Sequence, residues 1–175
     1  MKRLLCWMAA SAMLAGCGTG KPKIALVLSV GGIEDKSFNQ SAYEGFKKAA
    51  KEFAIKTDYA DPKGMGDFET CLRKYADEKY DLVIAIGFLQ KAPVEKVAPL
   101  YPKTQFAIVD AEARGANVAS LLFREDEGSF LVGAIAGLVT KSGRVGFVGG
   151  MKSALIQKFE YGYSAGVKYV NPKAD

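Results

Sequence analysis

Histidine is absent from this 175-residue sequence. Its absence excludes Ser–His and Cys–His nucleophile pairs, histidine general bases and histidine metal ligands. Cysteine is scarce as well, because only Cys6, Cys17 and Cys71 occur, too few and too scattered for a zinc ribbon or a disulfide framework. Long apolar runs are also missing. The twelve residues at positions 4–15 form an almost wholly apolar run that is too short to cross a bilayer as a helix.

The composition is that of one ordinary globular domain. Apolar residues make up 49% of the chain and charged residues 25%, and the mean hydropathy of +0.03 is near zero. The net charge is +5 and the isoelectric point is near 9.0. A mild excess of basic residues spread through the sequence suits solubility or a nearby anionic surface, and it is weak evidence for nucleic acid. We therefore expect no nucleic-acid partner.

The N-terminus has the pattern of an export signal. Lys2 and Arg3 precede the apolar run, which ends in Leu-Ala-Gly-Cys at positions 14–17. This ending resembles the lipobox of bacterial lipoproteins, in which the chain is cut before a cysteine whose sulfur carries a diacylglycerol. The alternative is a plain secretory peptide with a chance cysteine. We predict a signal peptide over residues 1–16, lipidation at Cys17 and a tether over residues 17–22, which would anchor the protein on the extracytoplasmic face of the cell membrane.

Beyond the tether, the sequence alternates between strand and helix patterns. Apolar runs predict strands over residues 23–29, 55–59, 81–87, 104–109, 118–123 and 144–148. Apolar periodicity and capping residues predict helices over residues 38–54, 67–78, 92–98, 125–140 and 153–170. This alternation indicates an α/β fold with a parallel sheet flanked by helices. We expect Gly133 and Gly137 to allow close helix-on-sheet packing, and Cys71 to act as a small buried apolar residue.

Polar and aromatic residues gather where the predicted strands end. In open parallel sheets, ligands bind beyond the carboxyl ends of the strands. The loop after the first strand holds Asp35, Ser37, Phe38 and Asn39, and the later strand ends carry Gly87, Phe88 and Asp110. The loop can offer acceptors, donors and a flat apolar ring, which predicts a site for a neutral polar ligand. The alternative for the loop is structural, with Ser37 or Asn39 capping a helix and Phe38 acting as a hydrophobic staple.

Enzymatic interpretations find little support. Residues 146–153 sit between a strand and a helix like a phosphate loop, but Met151 stands where glycine is needed before the Lys-Ser pair. Asp110 and Glu112 could act as paired carboxylates in glycoside hydrolysis, but no second signal accompanies them. We predict a protein that is not an enzyme and uses no cofactor or metal.

Several motifs together carry a family resemblance. They are the lipobox, the segment Lys-Ile-Ala-Leu-Val at 23–27, Asp-Lys-Ser-Phe-Asn-Gln at 35–40, the stretch from Val-Ala-Ser-Leu at 118–121 to Glu-Gly-Ser-Phe-Leu-Val-Gly at 127–133, Gly-Phe-Val-Gly-Gly at 146–150, Phe159 and Gly162. In these motifs the chain resembles the basic membrane protein family, the purine-nucleoside-binding lipoproteins of ABC importers. The resemblance covers essentially the whole chain.

The resemblance implies a type I periplasmic binding protein, in which two α/β lobes close on a nucleoside. Residues 23–124 would form the first lobe and residues 125–175 the start of an incomplete second lobe. Phe38 would stack on the purine, Asn39 and Asp110 would hydrogen-bond the base, and Asp35 and Ser37 would flank it. The implied partners are a purine nucleoside and an ABC permease in the membrane. A sugar-binding relative and a sensory or regulatory module are the alternatives, and the lipobox disfavours a regulator that acts on DNA.

Overall fold

A computed structural model of the protein describes residues 20–175. The predicted signal peptide, Cys17 and the first part of the tether lie outside the described residues. Five parallel strands form one sheet in the order β2-β1-β3-β4-β5. The strands are β1 (Lys23–Val27), β2 (Lys56–Ala60), β3 (Leu82–Ile86), β4 (Gln105–Val109) and β5 (Val118–Leu121). The helices are α1 (Phe38–Glu52), α2 (Phe68–Asp77), α3 (Lys91–Val97), α4 (Glu125–Val139) and α5 (Ala154–Val170).

The strand register places all five carboxyl ends at one edge of the sheet. One row of paired residues runs straight across it, through Asp58, Ala25, Val83, Phe106 and Val118. This arrangement confirms the predicted parallel α/β fold. The connections from β1 to α1, β2 to α2 and β3 to α3 all leave from the carboxyl edge, as a parallel sheet with helical crossovers requires.

The core of the sheet region divides into two layers because successive side chains of a strand point to opposite faces. On one face Val83 and Phe106 pack with Leu72 and Tyr75 of α2 and with Val94 and Val97 of α3. On the other face Leu26, Leu28 and Ile86 pack with Phe46 of α1. The three central strands β1, β3 and β4 are therefore covered on both sides, which explains why their sequences are nearly continuous apolar runs, whereas the edge strands β2 and β5 stay partly exposed.

Cys71 on α2 packs against the first of these layers and is half-buried. Burial raises the pKa of its thiol, the charge of Asp67 raises it further, and Lys74 opposes the shift. Because the thiolate is the reactive form, this environment suits an unreactive apolar residue, in line with the sequence-based interpretation.

Helices α4 and α5 pack on each other through glycines. A Cβ added at Gly133 would overlap the carbonyl oxygen of Tyr163, and one at Gly166 would overlap that of Phe130. A Cβ added at Gly162 would overlap the carbonyl oxygen of Asp126 in the same way. The two backbones are thus in direct contact. The prediction that Gly133 and Gly137 serve helix-on-sheet packing is wrong, because their neighbour is another helix.

The predicted strand over residues 144–148 is also wrong. In the described chain, positions 144–149 belong to no strand. Within the described residues, the backbone pairing of this segment is confined to Val145, whose N–H donates to the carbonyl of Asp175, while the N–H of Asp175 donates to the carbonyl of Gly143, both at 2.7 Å. Val148 is 98% exposed. A strand is stabilised by its neighbours in a sheet, and a β-type sequence without them does not become one.

Within residues 20–175, none of the helices has the length and apolarity needed to cross a membrane.

Candidate ligand-binding site

A cleft of about 610 Å³ lies between the carboxyl edge of the sheet and the α4–α5 pair. The sheet region contributes Phe38 and Asp110, and the segment that follows β5 contributes Phe123 and Arg124. The opposite wall is formed by Glu125, Gly128, Ser129, Val132, Gly146, Phe147, Val148, Phe159 and Tyr163. The cleft therefore joins the two parts of the chain at the place where the parallel fold predicts a ligand.

Phe38 is the first residue of α1; the residue is 38% exposed and lines the cleft. Gly87 lies directly behind its ring. A Cβ at Gly87 would stand 3.3 Å from Cε1 of Phe38 and 3.2 Å from Oγ of Ser29, and its φ of +97° suits glycine. Gly87 was predicted as a site residue. In the structure its lack of a side chain leaves room for the Phe38 ring.

Asp35 caps helix α1. Its carboxylate accepts hydrogen bonds from the backbone N–H groups of Ser37 and Asn39 at 2.9 Å and of Gln40 at 3.1 Å. Burial raises the pKa of Asp35, but the three donors outweigh it, so the pKa lies below its usual value. Among the described contacts, the Ser37 side chain makes no capping bond, so the cap belongs to Asp35 and not to Ser37. The Asp35 carboxylate and the N–H of Ser37 form an Asx turn just before the helix. An aspartate two to three residues before a predicted helix is the sequence signal that could have indicated this capping role.

Asn39 fixes the start of the same loop. Its side chain is buried, with 1% of the residue exposed. Oδ1 accepts from the N–H of Ser29 at 2.9 Å, and Nδ2 donates to the carbonyls of Ser29 and Gly32 at 3.1 Å. Both amide donors are thereby used inside the protein. In this structure Asn39 positions the loop that presents Phe38, and it does not line the cleft.

Phe88 and Gln90 turn inward from the end of β3. Phe88 packs against the core layer under α2 and α3, away from the cleft. Gln90 is fully buried, and its Nε2 donates to the carbonyls of Val27 at 2.9 Å and Ile86 at 3.0 Å. It therefore joins β1 to β3 at the point where the strand order reverses. Nothing in the sequence near Gln90 indicated this role, because its partner on β1, Val27, lies 63 residues away along the chain.

Asp110 ends β4 and faces the cleft with a strained backbone. Its φ is +63°, in the left-handed region that few non-glycine residues adopt. Its N–H donates to the carbonyl of Leu121 at 3.0 Å, which holds the residue against the end of β5. Burial raises the pKa of Asp110, and the negative charge of Glu125 raises it further.

Glu125 is a site residue that sequence reasoning missed. It was interpreted only as part of the acidic first turn of α4, yet its side chain is 5% exposed and lines the cleft. Lys158 of α5 lies 3.5 Å from its carboxylate. The cleft thus presents two acidic acceptors, Asp110 and Glu125, beside aromatic rings. Such a set suits a flat ligand with N–H or O–H donors on its rim.

The structure does not assemble the paired carboxylates or the phosphate loop that the sequence analysis considered. Glu112 is exposed and is not among the cleft residues that include Asp110. Positions 146–148 line the cleft as part of an irregular segment without the strand that a phosphate loop follows. In the part of the chain that the structure describes, no group of three or more acidic or cysteine side chains could hold a metal ion.

A parallel α/β lobe with a cleft at its carboxyl edge is the architecture of one lobe of a periplasmic binding protein. The crystal structure of an ABC transporter solute-binding protein from Aeropyrum pernix matches 86% of this chain with a TM-score of 0.79 and 36% identity. That match takes in 44% of the Aeropyrum chain.

The family is defined by sequence as well. The chain belongs to the Bmp family, described as ABC transporter substrate-binding protein PnrA-like, whose model matches residues 21–175. The CD4+ T-cell-stimulating antigen of Listeria innocua is 45% identical over 157 residues, which cover 86% of this chain and 44% of the relative. The ABC transporter nucleoside-binding protein BmpA of Lactococcus lactis is 37% identical over 179 residues, which cover 93% of this chain and 51% of the relative. The chain thus spans about half the length of these curated relatives.

Proposed function

We propose that this chain forms the first lobe, and part of the second, of a lipoprotein that binds purine nucleosides for an ABC importer. The observation that carries the proposal is the placement of Phe38 and Asp110 in one cleft. Phe38 is held by the Asp35 cap and the Asn39 hydrogen bonds, so an exposed aromatic ring is presented in a fixed position. The name of the Lactococcus relative supports a nucleoside as the ligand class.

The chemistry of a purine fits these groups. One face of the base would stack on Phe38, an interaction worth about 1–3 kcal/mol per base. A ring N–H or amino group would donate to Asp110, and a hydrogen bond to a charged group contributes about 1.5–3 kcal/mol. Glu125 would accept from a further donor of the base or the ribose. Asp35 and Ser37 flank the loop behind Phe38, and we propose that they act on the ligand only through it.

A sugar is the second candidate, because two carboxylates beside aromatic rings also suit hydroxyl groups. In that case Asp110 and Glu125 would accept from ring hydroxyls while Phe38 covers an apolar face. The two candidates differ in how they would contact Phe38. Every purine has a π-face that can stack on the Phe38 ring, and a pentose has none.

The proposal includes an export and anchoring route. Residues 1–16 would be removed, Cys17 would carry lipid, and residues 18–22 would tether the first lobe, residues 23–124, to the extracytoplasmic face of the membrane. Residues 125–175 would begin the second lobe, whose sheet would continue from the pairing between Val145 and Asp175. A permease of the ABC type would receive the ligand.

Ligand-observed saturation-transfer NMR tests the ligand class, because it detects weak binding to an open cleft. Adenosine, guanosine, inosine and ribose are offered to the chain separately and in competition. We expect signals from the three nucleosides, strongest on the base protons, and a much weaker one from ribose. A ribose signal that nucleosides do not displace would contradict the purine assignment and favour the sugar.

A further inference from the structure

Four lysines form a row along the amino edge of the sheet, opposite the cleft. Lys56 begins β2, Lys21 precedes β1, Lys79 precedes β3 and Lys103 precedes β4, and all four are exposed. Because the strands are parallel and lie in the order β2-β1-β3-β4, the lysines follow one another across the edge. Neighbouring strands are about 4.8 Å apart, so the row spans roughly 15 Å.

The acidic residues of this edge are mostly engaged inside the protein. Asp81 accepts from the backbone N–H of Lys23 at 2.7 Å, Asp77 accepts from the hydroxyl of Tyr101 at 2.8 Å, and Glu52 lies 3.9 Å from Lys48. Glu78 adds a further negative charge. Within residues 20–175, none of the four row lysines has its ammonium group within 4.0 Å of a carboxylate. No ion pair within these residues therefore holds these four ammonium groups in place, and each can reach an outside partner.

An exposed aromatic ring stands at the corner of the same edge. Phe53 follows α1 and is 67% exposed. It lies close to the start of the sheet, because the N–H of Lys56 donates to the carbonyl of Pro22 at 2.8 Å. Lys51 lies in the last turn of α1, and Lys56 and Lys21 stand at the starts of the paired strands β2 and β1. An apolar ring among cations is the composition of a surface that contacts lipid headgroups and the outer acyl region.

The tether sets how far this edge can lie from the membrane. Pro22 is the fifth residue after Cys17, and a fully extended chain spans at most about 3.6 Å per residue, so the two lie within roughly 18 Å of each other. Lipid on Cys17 would therefore hold the start of β1 close to the headgroup layer. This step rests on the lipid anchor in the proposed function.

We propose that the amino edge of the sheet, defined by the lysine row and Phe53, rests on an anionic phospholipid surface. The cleft lies at the opposite edge, so an anchored protein in this orientation presents its cleft to the outside solution. The attraction depends on salt, because charges beyond a screening length of about 8 Å at physiological ionic strength contribute little. Each lysine close to an anionic surface is expected to raise the occupancy of this orientation by about fivefold.

The test uses the full chain, expressed in a bacterium that processes lipoproteins and reconstituted into vesicles. An environment-sensitive fluorophore is attached at Phe53→Cys in a Cys71→Ser background. Met65→Cys is the matched control, because Met65 is 62% exposed and follows β2 at the carboxyl edge. Vesicles contain either phosphatidylcholine alone or a mixture with phosphatidylglycerol, and each carries a headgroup quencher. Co-flotation with vesicles is measured on the same samples.

We expect the label at position 53 to be quenched at least twofold more than the label at position 65 in anionic vesicles, and 0.5 M salt should reduce this difference. The double variant Lys56→Glu, Lys79→Glu should abolish this difference in quenching and leave flotation unchanged. The control double variant Lys36→Glu, Lys91→Glu changes exposed lysines at the other edge and should keep the difference. Equal quenching at both positions, or preferential quenching at position 53 that persists in neutral vesicles, would overturn the proposal. A chain that fails to float would contradict the lipid anchor itself and remove the basis of this inference.

Discussion

The sheet region is held together by buried large side chains, whereas the α4–α5 pair is held together by contact between glycine backbones. In the sheet region, large side chains such as Tyr75, Phe106 and Leu28 are fully buried between strands and helices. In α4, by contrast, Leu131 is 65% exposed and Leu138 is 70% exposed. The two helices contact each other through the glycine faces of their backbones, while large apolar side chains such as Leu131, Leu138 and Tyr169 stay exposed. Close helix contact and burial of large apolar side chains are therefore separable, and the α4–α5 pair has the first with little of the second.

Hydrogen exchange should show the largest difference between the two regions. Backbone amides of β1, which pair on both sides, should open only with global unfolding, whereas amides at positions 146–149 lack such pairing. We expect exchange at 146–149 to be at least about a thousandfold faster than at Ala25–Leu28. Comparable protection in a chain shown to be monomeric would mean that the second region closes a core of its own.

A glycine substitution should break the α4–α5 pair and leave the sheet region intact. Gly133→Ala places a methyl group on the carbonyl of Tyr163, and overpacking of this kind typically costs about 1–3 kcal/mol. Exchange should accelerate in α5 and stay unchanged in β1. Gly128→Ala is the control on the same helix, because its added methyl group meets open space and should stabilise α4 by up to about 1 kcal/mol. Equal effects of the two variants would show that the helices do not rely on backbone contact.

The helix cap gives a smaller effect confined to the sheet region. Asp35→Ala removes the acceptor for the first N–H groups of α1, a change that typically costs about 0.5–2 kcal/mol in free energy of unfolding. Because the folded-state pKa of Asp35 is lowered, its contribution is complete above the ordinary pKa of 3.8 and is lost as the pH falls through the folded-state value. Urea unfolding at pH 7 and pH 2.5 measures the difference. A deficit that is as large at pH 2.5 as at pH 7 would exclude the carboxylate as its source.

Asp110→Asn should produce the smallest change in stability. The folded-state pKa of Asp110 is raised, so its ionised form costs stability at pH 7; that cost shrinks as the pH falls below the raised value and is gone below the ordinary pKa of 3.8. The variant should therefore unfold at pH 7 with stability equal to or slightly above that of the wild type. Its relative affinity for inosine and adenosine should change, because asparagine can donate as well as accept. A clear loss of stability would indicate a structural role for this carboxylate.

The sequence was informative wherever the signal is local. The five sheet strands and all five helices were predicted to within a few residues, because the apolar runs of β1 and β3 and the periodicity of α1 reflect burial along one segment. Positions 144–148 have an equally apolar sequence, but their state depends on partner strands that sequence patterns do not describe. The sequence pattern also led to a wrong partner for Gly133, the sheet instead of α5. A glycine face predicts close packing of the helix but does not identify the element that packs on it.

The candidate site divides in the same way. The chemistry of Phe38 and Asp110 could be inferred from their positions after strands, and the structure places both in one cleft. The roles of Asn39 and Gln90 depend on hydrogen bonds to carbonyl groups of other segments, so neither residue type nor spacing could predict these roles. Glu125 fits the ordinary pattern of an acidic first turn, and only the packing of α5 shows that it faces the cleft.

Titration of Phe38→Ala against Phe53→Ala tests the central claim most directly. Both changes remove an exposed aromatic ring, one at the cleft and one at the opposite edge of the sheet. Loss of base stacking should weaken adenosine, guanosine and inosine alike, by about ten- to a hundredfold in dissociation constant measured by ligand-observed NMR. Phe53→Ala should bind all three like the wild type. If Phe38→Ala also binds them like the wild type, the cleft at the carboxyl edge is not the nucleoside site.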